Sequence, residues 1–399
     1  MVIWFSGLSG SGKTTLGKNF FYFLKKKSQS TIFLDGDRFR LIFKNDLGYT
    51  VKDRDTNAYR LTRLVKELSK QKINIVVATS GDTGAAAIDA IKGKKNVNIF
   101  VLHPHNRVSP VQRKLMTTGK EANVFNIAIE GNFDDCQSLV KSMFADKIFS
   151  NEIKMSGVNS INWARIIAQS VYYFYSYYLV EGDKQPINFS VPTGNFGDIY
   201  AGYLAKKMGL PINKLIVATN QNDILHRAIS KGDYEVEKVT ETISPSMDIQ
   251  IASNFERLIY DLNDGDDEKT IIAMRDIKEK GDYKIDQKKL DKIKLNFLSS
   301  RMNEEEVLKN IKLVYEKFDI VLDPHSAIGY GAFDIVNLNG NNIVLATAHP
   351  CKFPEAIKNS INLKADLPDE LSFIMGEKEK YDIIDNNVGK VKQYIKERI

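Results

Sequence analysis

Three times along this chain a short apolar run breaks at a glycine-bearing turn and resumes as helix-like sequence. Residues 2–5 lead into Gly7-Leu8-Ser9-Gly10-Ser11-Gly12-Lys13-Thr14 ahead of a helix over 15–27. Residues 73–78 lead into Ser80-Gly81-Asp82-Thr83-Gly84 ahead of a helix over 85–91. Residues 189–191 lead into Pro192-Thr193-Gly194-Asn195-Phe196-Gly197 ahead of a helix over 198–208, stopped by Gly209. Strands that pass directly into helices must return on the far side of a sheet, which specifies α/β layers with parallel strands. Further strands are expected at 31–34, 97–102, 124–129, 215–218, 320–322 and 343–347, with helices over 55–70, 111–118 and 134–144. A long helix is expected over 160–180, with Ile161, Ala164, Ile167, Ala168, Val171, Phe174 and Tyr178 marking its buried face at helical spacing. The acidic stretch 261–268 reads as a surface loop.

Charge and composition exclude several classes. The net charge is only +6 over 399 residues, and the lysine runs read as solvated helix faces, so nucleic acid is not an expected partner. The most apolar candidate for a membrane span, 172–178, is too short and too polar, and the N-terminus lacks a signal-peptide pattern. A cytoplasmic protein with a small-molecule substrate is expected. Cys136 and Cys351 stand in dissimilar contexts without metal-ligand spacing, and the five histidines show none either. Oligomeric state is not legible in this sequence.

The first glycine turn fits GxxxxGK[ST] between a strand and a helix, the setting a phosphate loop requires. Backbone N–H groups of Gly7, Gly10, Ser11 and Gly12 can turn toward a phosphate, Lys13 can reach terminal phosphates, and Thr14 can hold Mg²⁺ beside ATP. Farther on stand Asp35-Gly36-Asp37, Arg40, Leu47-Gly48-Tyr49, Arg54, Asn57 and Arg60. In this order the segment to about residue 78 resembles adenylylsulfate kinase, and the resemblance assigns Asp37, Arg40, Arg54 and Asn57 to the acceptor site. The family's later Ser-Pro-Tyr-Arg-like stretch and nucleotide lid do not follow. Phosphoryl transfer needs several elements positioned together, so a half site of this kind is expected to bind nucleotide without efficient transfer.

From Ala78 a second series begins: Ser80-Gly81-Asp82-Thr83-Gly84, Ser109-Pro110-Val111-Gln112, Gly131-Asn132-Phe133-Asp134-Asp135-Cys136-Gln137 and Val158-Asn159-Ser160-Ile161-Asn162-Trp163-Ala164-Arg165. The turn at 192–197 follows, then Ala218-Thr219-Asn220-Gln221-Asn222-Asp223, Ser244-Pro245-Ser246-Met247-Asp248-Ile249, Asp323-Pro324-His325-Ser326-Ala327 and Ala346-Thr347-Ala348-His349-Pro350. In this order the series resembles threonine synthase, a pyridoxal-phosphate (PLP) enzyme of fold type II, tryptophan synthase beta-like. The resemblance implies conversion of O-phospho-L-homoserine and water to L-threonine and phosphate. It assigns Gly194, Asn195, Phe196 and Gly197 to the phosphate of PLP, a role that a strand-to-helix turn suits physically. It also assigns Thr347, at the end of a buried strand, to the pyridine nitrogen. Ser80, Asp82 and Thr83 fall to the carboxylate side of the substrate, and Asn159 and Arg165 to its phosphate end.

One departure stands out. The resemblance places the PLP lysine upstream of the Ser80–Gly84 turn, in a Pro-Thr-x-x-x-Lys-Asp-like segment. Here kinase-like sequence fills that space, and Lys13 lies too far from Ser80 for the family spacing. Without that lysine the covalent step loses its nucleophile, so no catalytic residue is assigned and impaired activity is expected. The expected organisation is a partial P-loop NTPase-like segment over 1–76, part of a small domain over 77–150 and a large PLP-binding domain over 151–399. The rival readings are an ATP-dependent adenylylsulfate kinase-type enzyme and an inactive PLP- or nucleotide-binding chimera.

Overall fold

The computed structural model describes residues 72–79, 81–158, 161–180, 187–338 and 340–399, with scattered positions between 18 and 60. The phosphate loop, Asp37, Arg40, Arg54, Asn57, Ser80 and Asn159 lie outside the described residues.

Two parallel sheets carry the fold. The first has the order β11-β3-β2-β1-β4, built from β1 (Ile73–Ala78), β2 (Val97–Pro104), β3 (Val124–Glu130), β4 (Met155–Ser156) and β11 (Asp382–Asp385). Helices α1 (Asp82–Ile91), α2 (Pro110–Thr117) and α3 (Phe133–Ala145) follow β1, β2 and β3 respectively. Val76, Phe100, Leu102, Ile127 and Ile129 face one core with Cys136 and Leu139 of α3. Val77, Ile99, Val101 and Val124 face the other with Ala87 and Ile88 of α1. Alternate residues of each strand thus pack on opposite layers, as a sheet covered on both faces requires. After α3 and the short α4 (Lys147–Glu152) the chain enters β4; it returns at its end through β11, which pairs with β3 in parallel. The first sheet therefore draws strands from both sides of the boundary expected near residue 150.

The second sheet has the order β10-β5-β6-β9, from β5 (Ile187–Pro192), β6 (Ile212–Thr219), β9 (Phe297–Arg301) and β10 (Asn341–Val344). Between them run α5 (Trp163–Leu179), α6 (Gly197–Lys207), α7 (Ile224–Lys231), α8 (Phe255–Leu262), α9 (Asp267–Lys280), α10 (Gln287–Asn296), α11 (Glu304–Phe318) and α12 (Pro324–Val336). Strands β7 (Asp233–Glu235) and β8 (Asp282–Lys284) form a separate antiparallel pair. Helices α13 (Pro354–Ile361) and α14 (Val388–Lys396) complete the order. Every residue of β5 is buried: Tyr173 of α5 packs on Phe189 at 4.9 Å, and Ser190 on the opposite face donates its hydroxyl to Gly329 O of α12 at 2.6 Å.

The structure corrects four expectations. Residues 320–322 form no strand: they bridge the left-handed cap of α11 at Asp319 (φ 55°) and Asp323, which caps α12. Most of the acidic stretch 261–268 is helical, the end of α8 and the start of α9, with Asp266 capping α9 through the Lys269 amide. The buried seam of α5 is Ile166, Ser170 and Tyr173, while Ile161, Ile167, Val171, Phe174 and Tyr178 are exposed. That seam is set by Gly202 of α6: a Cβ there would lie 2.4 Å from the Tyr173 ring, so only glycine admits the approach. Finally, β10 stops at Val344, so Thr347 lies three residues past a strand end and is exposed. Among the described residues its strand pairs only with β5, and the paired register ends at Val344–Ser190.

Candidate active site

The turn after β5 is built as an anion cradle. Thr193 donates its amide to Ala218 O of β6 at 2.8 Å, which extends the strand pairing by one residue. Phe196 then adopts a left-handed conformation (φ 66°), a costly backbone for a bulky residue unless its surroundings hold it. Its ring is buried edge-on to Phe255 at 5.1 Å and tilted against Phe297 at 5.9 Å, which anchors it. The Asn195 side chain accepts from the Gly197 amide at 2.8 Å and so orders the start of α6. Among the described residues, the amides of Gly194, Asn195 and Phe196 have no acceptor. Open N–H groups before the positive end of a helix suit a phosphate.

Gly194 is required by close approach. A Cβ would lie 2.5 Å from the Ser246 carbonyl oxygen and 3.3 Å from Met247 Cα. The loop pressing on it is itself fixed. The Ser246 amide donates to His325 Nε2 at 3.3 Å, and His325 Nδ1 lies 2.9 Å from Asp323 Oδ1. Since Nε2 accepts, the imidazole proton sits on Nδ1 and donates to Asp323. Asp323 also caps α12 through the His325 and Ser326 amides and takes the Ser326 hydroxyl. Asp248, two residues past Ser246, accepts from Asn220 Nδ2 (2.8 Å), Asn222 Nδ2 (2.9 Å) and the Thr242 hydroxyl (2.7 Å). Burial nevertheless raises its carboxyl above the usual range. Four sequence motifs thus meet here: the cradle, Ala218–Asp223, Ser244–Ile249 and Asp323–Ala327. The histidine spacing gives no sign that His325 braces the cradle.

Behind the first turn of α6, the Tyr173 hydroxyl reaches the Asp198 carbonyl at 2.9 Å and its carboxylate at 3.2 Å. Burial pushes the Asp198 carboxyl up to about 6, against the opposing pull of Tyr173 and Arg165. Arg165 itself is exposed on the first turn of α5.

The second candidate turn opens α1. The Thr79 hydroxyl accepts from the Gly81 amide at 3.0 Å and the Gly84 amide at 2.9 Å. The amides of Asp82 and Thr83 are left without an acceptor among the described residues. The Asp82 carboxylate is taken by Gln112 Nε2 at 3.1 Å and Lys352 Nζ at 2.8 Å. Lys352 follows the Ala346–Pro350 motif, and β10 emerges beside β5 at the same sheet edge as the cradle. The pair therefore ties the α1 turn to that edge; no sequence spacing pointed to Lys352. The Gly131–Gln137 motif has a local role, since Asn132 and Asp135 form a capping box on α3. Cys136 and Cys351 are free and buried, and burial pushes the Cys136 thiol up to about 12.

The chain matches a family model described as threonine synthase, C-terminal, over residues 326–395, and one for adenylylsulphate kinase over residues 1–127. The kinase match runs past residue 78, through β1 and β2 into β3. Threonine synthase from Pseudomonas aeruginosa is 44% identical over 355 residues, covering 87% of this chain and 76% of that protein. Threonine synthase from Saccharomyces cerevisiae is 43% identical over 362 residues, covering 84% and 70%. These matches take in more of the chain than residues 77–399 hold, so the similarity begins upstream of the expected join. The PLP-bound threonine synthase structure from Brucella melitensis superposes with a TM-score of 0.81 at 46% identity, covering 85% of this chain and 73% of that one. The yeast enzyme gives 0.77 at 42%. With its parallel α/β architecture and with relatives this similar over most of their length, the chain belongs to the threonine synthase family.

Proposed function

We propose that the chain binds PLP through the turn at residues 194–197 and serves the threonine synthase reaction, in which O-phospho-L-homoserine and water give L-threonine and phosphate. The observation that carries this reading is the cradle: three amides without an acceptor at the start of α6, braced by the buried Asp323–His325 pair. When bound, PLP supplies an electron sink that stabilises negative charge on the substrate's carbons. The Gly194, Asn195 and Phe196 amides hold its phosphate, and Gly197 starts the helix whose dipole favours that charge. The Asp82 and Thr83 amides, with the Ser80 hydroxyl, take the substrate carboxylate. Lys352 neutralises Asp82, so that this turn does not repel an anion. Asn159 and Arg165 serve the phosphate end of the substrate, and Thr347 the ring nitrogen. The substrate class is a small phosphorylated amino acid, and the compartment is the cytosol; among the described residues no helix is long and apolar enough to cross a membrane.

A Pro-Thr-x-x-x-Lys-Asp segment does not occur in this sequence. The chain alone therefore holds PLP noncovalently and turns over near background. The test replaces residues 1–76 with the N-terminal segment of an intact threonine synthase, joined at residues 75–78 so that the register of β1 into α1 is kept. Phosphate release from O-phosphohomoserine is then compared in the parent and repaired chains. Turnover by the repaired chain alone is expected. A repaired chain that folds and binds PLP yet stays inactive overturns the assignment of the retained residues. Borohydride treatment of the parent with PLP checks the lysine: a stable adduct on one lysine would identify a replacement.

A second reading, ATP with Mg²⁺ at Gly7, Gly10, Ser11, Gly12, Lys13 and Thr14, rests on the adenylylsulphate kinase match.

A further inference from the structure

Helix α2 stands between the turn that opens α1 and a strap that crosses from the layer of the second sheet to the first. Toward the turn it presents Gln112 and Met116, four residues apart and so on one face. A Cβ on Gly81, whose φ is 147°, would lie 2.8 Å from Gln112 Cδ, and one on Gly84 would lie 2.9 Å from Met116 Sδ. The turn is therefore pressed on α2 at both of its glycines. Ser109 caps α2 and also aims Gln112: its hydroxyl accepts from the Gln112 amide at 3.3 Å and donates to Gln112 Oε1 at 3.0 Å. That bond leaves Nε2 to face the Asp82 carboxylate, 3.1 Å away.

The adjacent face of α2 carries Arg113 and Thr117, again four residues apart, and both close on Glu379. Arg113 donates Nε to Glu379 Oε2 at 2.8 Å and Nη2 to Oε1 at 3.1 Å, and the Thr117 hydroxyl lies 2.8 Å from Oε2. The Lys380 amide donates to Thr117 O at 2.6 Å, and Lys114 Nζ donates to Glu377 O at 2.6 Å. Glu379 belongs to the strap, residues 362–381, which leaves α13 and enters the first sheet as β11. Ile357 of α13 packs with Ile216 and Ala218 of β6 in the second sheet's layer. The Arg113 and Glu379 side chains are only 24% and 16% exposed, and a two-pronged pair so shielded holds better than a surface ion pair. One helix thus grips the turn with one face and the strap with the next.

We propose that Arg113 and Glu379 are positioning residues for the carboxylate end of the substrate site: from the strap, through α2 and Gln112, they set where the Asp82 side chain and the amides of Asp82 and Thr83 stand. The role of the turn rests on the proposed function, whereas the coupling rests on the contacts alone. Lys352 holds the same carboxylate from the edge of the second sheet, so Asp82 keeps one partner when α2 shifts.

The test uses the full chain as parent, Glu379→Ala, Gln112→Ala and the double variant. Hydrogen exchange over residues 79–88 reads the turn without any ligand. Calorimetric titration of O-phospho-L-homoserine into the PLP-loaded chain reads the carboxylate end, and equilibrium dialysis of PLP reads the cradle. Each single variant should speed exchange over 79–88 and weaken O-phospho-L-homoserine binding by about tenfold, with PLP affinity and exchange over 187–207 unchanged. A general loss of stability would move all of these together. The double variant should lose clearly less than the two single losses combined, because both cut one path. Lys120→Ala, which removes an exposed pair with Glu377, should change none of them. If Glu379→Ala does not fold, Glu379→Gln, which keeps an acceptor and removes the charge, takes its place. Exchange over 79–88 that ignores the Glu379 variant, or single losses that simply combine in the double variant, overturns the proposal. A parent that binds no O-phospho-L-homoserine refutes the proposed function instead, and the exchange measurements then decide the coupling by themselves.

Discussion

Replacing Gly194 with alanine tests the cradle at its tightest point. The added Cβ would sit 2.5 Å from the Ser246 carbonyl oxygen, 3.2 Å from Ile249 Cδ1 and 3.3 Å from Met247 Cα. Carbon prefers roughly 3.5 Å or more from such neighbours, so the turn and the 246–249 loop must part by on the order of 1 Å. The loop resists, because His325 holds the Ser246 amide and Asn220, Asn222 and Thr242 hold Asp248. The turn therefore moves, carrying the Gly194 and Asn195 amides with it. Overpacking of this kind costs about 1–3 kcal/mol of stability. Loss of one hydrogen bond to a charged phosphate costs a further 1.5–3 kcal/mol of PLP binding, roughly 10- to 150-fold in affinity. Equilibrium dialysis with PLP reads the second quantity and urea unfolding the first. A folded Gly194→Ala chain that is destabilised yet binds PLP within about twofold of the parent would refute the assignment of this turn to the cofactor phosphate.

Tyr173→Phe removes the hydroxyl that reaches Asp198. The folded-state pKa of Asp198 is raised to about 6, so native stability falls as pH rises from the ordinary carboxylate range through 6 and stays low above it. The hydroxyl offsets part of that loss, and its removal should cost about 1–2 kcal/mol more at pH 8 than at pH 5. Equal urea midpoint shifts at the two pH values would contradict this. Lys352→Met should lower the thermal midpoint by an amount worth at most about 1 kcal/mol, because Asp82 is partly solvated, and high salt should narrow the difference; a salt-independent loss would point to packing instead. Lys13→Ala should weaken binding of ATP with Mg²⁺ and leave PLP binding unchanged, and equal ATP affinity in parent and variant would remove the phosphate-loop reading.

What the sequence made legible was punctuation. Glycine turns after apolar runs located the passages from β1 to α1 and from β5 to α6 to within a few residues, because a strand that must become a helix has few backbone routes. Facing was harder. Both the Ile161–Tyr178 stripe and the Ile166–Tyr173 seam of α5 recur at helical spacing, and only Gly202, distant in sequence, decides between them. Residues 343–347 read as one apolar strand, yet the pairing of β10 stops at Val344 while its partner β5 runs on to Pro192. Contacts of long sequence separation were invisible altogether. Nothing near His325 announces Ser246, and nothing near Lys352 announces Asp82, because each pair is made by the return of the chain to a sheet edge.

Two supports of the phosphate turn meet at helix α6. Its N-terminus carries the cradle, and its flank receives Tyr173 from the inner seam of α5. The hydroxyl of Tyr173 bonds to Asp198, one residue past the last member of the phosphate turn. The cradle is thus braced from two sides: by Asp323 and His325 through the 246–249 loop, and by α5 through Tyr173. The first brace is buried and complete within the chain. The second runs through α5, where Tyr173 also packs on Phe189 of β5 at 4.9 Å and Arg257 Nη2 donates to Ile161 O, just ahead of the helix, at 2.7 Å. Loss of either brace should therefore loosen the start of α6 without removing any group proposed to touch the phosphate.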